Sequence, residues 1–272
     1  MHDAPALDRL SFNQITSDRH TLQDTVEACA RAGIQWIGAW RHKVEDDPEK
    51  AAKLIRDAGL KVSSLCRGGF FPAATAAERQ KKIDDNLCAI DEAATLGTDL
   101  LALVCGPAAD RDVGAAREMV IEGIAAIESH ARDRGVRLGI EPLHPMYAAE
   151  RSVVVTLEQA NDIASRFSAK TVGVVIDVFQ TWWDPKIYES IEQAGQRILG
   201  FHVSDWIVPM PNMLMGRGMM GEGVIEIRRL RTAVEQAGYS GPIEVEIFNE
   251  RIWNIPLDQL MAQIKTSYRE FV

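Results

Sequence analysis

The chain has 272 residues, 46% of them hydrophobic and 25% charged, with a net charge of −9 at pH 7. That composition supplies a sizeable core and fits an ordinary water-soluble fold. The acidic balance, with no dense basic cluster, argues against nucleic acid or an anionic membrane as partner.

In chain order, the apolar runs predict strands at 9–13, 34–39, 62–66, 100–105, 137–141, 172–177, 198–203 and 243–247. Amphipathic stretches predict helices between and after them, at 21–32, 48–58, 75–96, 113–134, 156–167, 186–194, 225–237 and 257–270. One pattern recurs: an amphipathic stretch ends in Gly, and a short apolar run follows. It is seen in CARAGIQWIGAW, IRDAGLKVSSLC, AATLGTDLLALVCG, ARDRGVRLGIEP and VEQAGYSGPIEVEIF. Gly closes a helix, and the apolar run is a strand buried on both faces. Helices alternating with such strands imply parallel pairing, and this number of units predicts a single (β/α)₈ barrel spanning 1–272. No GxGxxG follows the first strand, against an open dinucleotide-binding sheet.

No apolar run approaches the length of a membrane span. MHDAPALDRL lacks the charged and apolar regions of a signal peptide, so the expected compartment is the cytoplasm. Cys29, Cys66, Cys88 and Cys105 form no CxxC and read as buried free thiols.

Barrels of this kind place their chemistry at the C-terminal ends of the strands. Strand five (VRLGIE) ends at Glu141, strand six (VGVVID) at Asp177, strand seven (ILGFHVSD) at His202 and Asp205, and strand eight (IEVEIFNE) at Glu246. Each has an ordinary alternative. Glu141 could bond a backbone N–H, Asp177 could cap the next helix, and His202 could be a satisfied core histidine. Of Glu244 and Glu246 one is expected to face the helix layer, and Glu246 is taken inward. Together, however, three carboxylates at one mouth repel each other unless a cation neutralises them. One divalent ion held by Glu141, Asp177, His202 and Glu246 is the economical solution. Mn²⁺ is the expected ion; Mg²⁺, Co²⁺ and Zn²⁺ also suit such ligands.

GIEPL, VIDVFQT, GFHVSDW with a following GRG, and the terminal EVEIF resemble the xylose isomerase-like barrel superfamily. That group includes tagatose and psicose 3-epimerases and inositol-catabolism enzymes. The resemblance implies the same metal ligands, Glu141, Asp177, His202 and Glu246, with the two glutamates as an acid–base pair. It implies that Arg217 contacts substrate or orders the site. It also implies a homo-oligomer, dimer or tetramer. The chain departs from the epimerases at Gln180, where they tend to carry a His, and in EPLHPM, which supplies His144.

A metal on a carbonyl and adjacent hydroxyl acidifies the neighbouring C–H and stabilises an ene-diolate. Returning the proton elsewhere isomerises or epimerises; a leaving group β to the carbonyl is instead expelled. The expected enzyme is thus an isomerase or epimerase of an unphosphorylated sugar or sugar derivative. The alternative is a lyase or hydratase on a 3-keto sugar, with His144 as base. Residues expected at the substrate are Trp40, Arg67, Gln180, Trp182, Asp205 and Arg217. The segment PMPNMLMGRGMMGEG within 208–223, with five of the nine methionines, reads as a lid, a substrate wall or an interface.

Overall fold

Thr21 begins the first long helix, α1 (Leu22–Ala32), through a reciprocal capping box with Asp24, and Gly33 ends it at φ 71°. The same two signals bound α3 (Ala76–Leu96), with Thr75 and Glu78 at one end and Gly97 at the other. The computed structural model describes residues 5–44 and 47–272, so the first four residues of the stretch read above for a leader lie outside it.

Eight parallel strands close a barrel: β1 (Leu10–Asn13), β2 (Trp36–Trp40), β3 (Lys61–Gly69), β4 (Leu100–Val104), β5 (Arg137–Glu141), β6 (Val172–Asp177), β7 (Ile198–Val203) and β8 (Ile243–Val245). Each pairs with its sequence neighbours, and β8 closes the ring against β1. Between and after the strands run α1, α2 (Pro48–Asp57), α3, α4 (Val113–Asp133), α5 (Leu157–Ser165), α6 (Ile187–Ala194), α7 (Ile227–Gln236) and α8 (Leu257–Phe271). Leu10, Phe12, Val174, Ile176, Ile243 and Val245 belong to the large buried cluster shared with the helices. A second, smaller cluster contains Cys66, Leu100, Ala102, Val175 and Leu199, with Trp40 against it. Gly139 makes room for it, since a Cβ there would lie 2.7 Å from Val175 Cγ2. Among the described residues no helix is long and apolar enough to cross a membrane.

Three sequence expectations are corrected. β3 runs to Gly69, beyond the predicted 66, because its register against β4 shifts between Cys66 and Gly68. Cys88 is exposed on α3, while Cys29, Cys66 and Cys105 are buried, and all four are free. Glu244 faces inward together with Glu246. Residues two apart on a strand share a face, and both are buried.

Candidate metal centre

β5, β6 and β7 deliver Glu141, Asp177 and His202 to one end of the barrel, and Glu246 lies just past β8. Strand register places Asp177 beside His202, and His202 beside Glu244. All four expected ligands are buried. Glu141, His202 and Glu246 each offer a ligand atom, and these atoms lie within 4.8 Å of one another. Asp177 falls outside that tightest group. Its Oδ1 accepts from Phe179 N at 2.9 Å, which caps a short turn of helix. Its Oδ2 faces Arg217 Nη1 at 2.8 Å, an ion contact off the line needed for a hydrogen bond.

Arg217 is a cation buried against the candidate ligands. It is buried between the rings of Phe179 and Phe248, at 4.8 and 4.9 Å. Its Nη1 donates to Glu246 Oε2 at 2.9 Å and to the Glu246 carbonyl at 3.1 Å. The expectation that it orders the site or meets substrate therefore has a concrete geometry: its guanidinium bridges two carboxylates.

The environment separates the carboxyl groups. Burial pushes Glu141 up, the charge of Glu246 adds to it, and the result is about 8. Burial also acts on Glu246, but Arg217 and His202 outweigh it and bring it down to about 2. Burial raises Asp177, and Arg217 offsets only part of this. Burial alone would lower His202; the neighbouring Glu244 and Glu246 reverse this and raise it to about 10. Two carboxyl groups pushed apart in this way are the usual material of an acid and a base.

The residues fit a divalent cation. His202 Nδ1 and Nε2 are both buried without a hydrogen-bond partner, an arrangement seldom left unexplained. The carboxyl of Glu141 has no hydrogen bond among the described residues. Two carboxylates and an imidazole, with Asp177 Oδ2 at hand, form a mixed O/N set of the kind that Mn²⁺ or Zn²⁺ accepts.

The remaining expected residues divide. His144 is half-buried, with its ring 5.0 Å from Trp206 and 5.4 Å from Trp183. Its N–H donates to Gln180 Oε1 at 2.8 Å, and its Nδ1 accepts from Met146 N at 3.1 Å. With Nδ1 an acceptor, the neutral ring carries its hydrogen on Nε2 and presents a hydrogen-bond donor outward. Burial pushes its pKa down. Gln180 is thereby tied to the turn that holds His144. Trp40 Nε1 donates to Asn13 Oδ1 at 2.8 Å, while Trp182 Nε1 is buried and unpartnered. Arg67 lies over Phe70 at 3.9 Å and forms no ion pair or hydrogen bond among the described residues. Asp205 is otherwise engaged. Its carboxylate accepts from the N–H groups of Trp206, Gly221 and Ile225, at 2.9, 2.9 and 3.0 Å. It anchors the Met-rich loop, with both oxygens hydrogen-bonded within the chain.

That loop rises from a two-stranded ribbon pairing Asp205–Trp206 with Arg217–Gly218. Met219 and Met220 are core residues, whereas Met213 and Leu214 are exposed at the tip. Tyr147 Oη, from the turn after β5, donates to the Met213 carbonyl and ties the tip down. The sequence reading missed Asn13, which donates to Glu244 at 2.6 Å and reaches Glu246 Oε1 at 3.4 Å. It also missed Ser63, Ser64 and the inward Glu244. Asn13 at the end of the first strand was the available signal.

Residues 26–270 match the xylose isomerase-like TIM barrel. The chain belongs to that family. Among curated relatives in reach of this family member, a 3-dehydroshikimate dehydratase of Pseudomonas putida is 25% identical over 256 residues, 89% of this chain and 38% of that protein. The chain thus spans less than two-fifths of the length of the dehydratases it matches. An inosose isomerase of Bacillus velezensis is 22% identical over 272 residues, with 94% of each chain covered. Among solved structures, SMc04130 from Sinorhizobium meliloti 1021 is 46% identical, with a TM-score of 0.95 over 98% of this chain and 99% of that one. The IOLI protein with bound zinc is 21% identical, with a TM-score of 0.85 over 97% and 98% of the two chains. That second likeness is one of fold.

Proposed function

We propose that this family member is a divalent-metal-dependent isomerase or epimerase of an unphosphorylated sugar or cyclic polyol bearing a ketone beside a hydroxyl. The observation that carries this reading is the convergence of Glu141, His202 and Glu246, with both imidazole nitrogens unpartnered. These three residues would hold the ion, with Asp177 joining through Oδ2. When bound, a divalent cation supplies Lewis acidity to a carbonyl and so acidifies the neighbouring C–H. Zinc in the IOLI protein supports a divalent ion here, and Mn²⁺ is the ion we favour for the oxygen-rich set.

The proton is handled by the chain itself. Arg217 holds Glu246 Oε2 and keeps this carboxylate ionised, so it stands unprotonated as the acceptor for a C–H that the cation has acidified. Glu141 holds a proton more readily than an ordinary carboxyl, so it returns one. Delivery to the adjacent carbon isomerises; delivery to the opposite face of the same carbon epimerises. Trp40, Trp182 and Trp206 offer apolar faces for the C–H surface of a ring. Arg67, without a carboxylate partner among the described residues, offers hydrogen bonds to substrate oxygens.

One observation favours a second outcome. His144 presents Nε2–H, and a donor at the rim suits a hydrogen bond to a departing β-hydroxyl that takes its proton from Glu141, which would make the enzyme a dehydratase. The full-length match to an inosose isomerase supports the first reading, and the dehydratase relatives support the second. Isomerisation and dehydration of a hydroxy ketone share the same first step, loss of the proton beside the carbonyl. Proton NMR in D₂O separates them. With Mn²⁺-loaded protein and a panel of ketoses, inosose, 3-keto-glucosides and 3-dehydroshikimate, deuterium beside the carbonyl with an epimer or isomer gives the first reading. A conjugated product gives the second. No exchange in any member of the panel removes both.

A further inference from the structure

Glu244 is a second inward carboxylate of β8, and none of the chemistry above uses it. It sits in a pocket made by three other strands. Asn13 Nδ2 donates to its Oε1 at 2.6 Å, Ser63 Oγ to its Oε2 at 2.6 Å, and Ser64 Oγ lies 3.0 Å from both oxygens. Ser11 Oγ backs Ser63 at 2.7 Å. Gly38 leaves the space, since a Cβ there would lie 2.1 Å from Glu244 Oε1. The pocket is built for a carboxylate and holds it in one place. No lysine or arginine pairs with it among the described residues, and burying a carboxylate on neutral donors alone is costly.

The group it faces is His202. Nε2 lies 3.7 Å from Glu244 Oε1, and Nδ1 lies 3.7 Å from Glu246 Oε2. The imidazole thus stands between the two glutamates, with only the Nδ1 side turned to the candidate ligands. Resting on the metal-centre reading, we propose that Glu244 is a positioning residue. Its charge, fixed 3.7 Å from Nε2, favours hydrogen on that nitrogen, and so directs the Nδ1 lone pair to the cation. Carboxylates behind metal-bound histidines act in this way, and their loss typically costs about 10–100-fold in metal affinity.

Glu244→Gln gives the sharpest test. Asn13 Nδ2 keeps the amide oxygen at the Oε1 position and the NH₂ falls on the serines, so Nε2 faces a neutral acceptor in place of a carboxylate and its hold on that tautomer weakens. Calorimetric titration of metal-stripped protein with Mn²⁺ and Zn²⁺ should show affinity about 10–100-fold below the parent chain. Long-range ¹H–¹⁵N spectra should place the His202 hydrogen on Nε2 in the metal-free parent, with the population of that tautomer reduced in the variant. Ser64→Ala, a near-isosteric change, should lower affinity in the same direction by less, which keeps the test open if Glu244→Gln fails to fold. A folded Glu244→Gln chain that binds within twofold of the parent with an unchanged tautomer overturns the proposal. Absence of binding by the parent chain overturns the metal-centre reading instead, and the proposal with it.

Discussion

Arg217 Nη1 lies 2.8 Å from Asp177 Oδ2, deep among the strand ends where the candidate ligands meet. The same nitrogen is hydrogen-bonded to Glu246. One buried guanidinium thus lowers the mutual repulsion of several carboxylates and keeps the site assembled. Replacing Arg217 by Met keeps the packing between Phe179 and Phe248 but leaves buried carboxylates uncompensated. A loss of about 3–5 kcal/mol is expected in metal-free protein. Added Mn²⁺ should recover more of the melting temperature in the variant than in the parent. Thermal denaturation with and without chelator measures both, and an unchanged metal-free melting temperature would refute the compensating role.

The two glutamates should fail differently from the surrounding residues. Glu246→Gln removes the ionised proton acceptor and Glu141→Gln the proton donor. Each should lower kcat by about 10²–10⁴-fold. Exchange of the substrate proton with D₂O should be lost in parallel. Retained exchange in either variant would take that residue out of the proton path.

His144 distinguishes the two outcomes. Its replacement by Ala should be mild for an isomerase that uses the glutamate pair and severe for a dehydratase that uses Nε2–H. The pH dependence has a defined sign. Burial lowers its pKa in the fold, so the ring stays neutral somewhat below the ordinary value near 6.5. Above that value neither folded nor unfolded chain binds a proton there, and no stability is at stake. As pH falls below it, the unfolded chain takes up a proton that the folded ring refuses, and stability declines until the folded pKa is passed. His144→Ala should therefore flatten part of the decline in stability just below pH 6.5, measured by urea denaturation across that window.

Arg67→Ala tests the binding face. Its guanidinium is packed on Phe70 and has no ion-pair or hydrogen-bond partner among the described residues, so its hydrogen bonds are available to a ligand. A hydrogen bond to a charged group contributes about 1.5–3 kcal/mol, so KM should rise roughly ten- to hundredfold with kcat little changed. A fall in kcat at constant KM would place Arg67 in the chemistry instead.

The barrel was legible because its signals are local. Gly33 and Gly97 end helices where the sequence says they should, and the apolar runs become strands within a few residues of the predicted limits. The four candidate ligands were legible because a parallel barrel turns every strand end to the same mouth, so residue type at the strand end suffices.

Partnership was a different matter. Nothing local says that Asp177 meets Arg217, forty residues away, or that Asp205 holds the amides of Gly221 and Ile225. The tautomer of His144 depends on one backbone N–H, that of Met146. The second inward glutamate follows from strand alternation, but its pocket is assembled from Asn13, Gly38, Ser63 and Ser64 on three other strands. The sequence by itself determined the barrel and which residue types reach its mouth, because helix caps and strand periodicity are set by neighbours along the chain. Only the tertiary structure decided which charges compensate one another, because such energies depend on distances between residues far apart in sequence, in an interior where water no longer screens them.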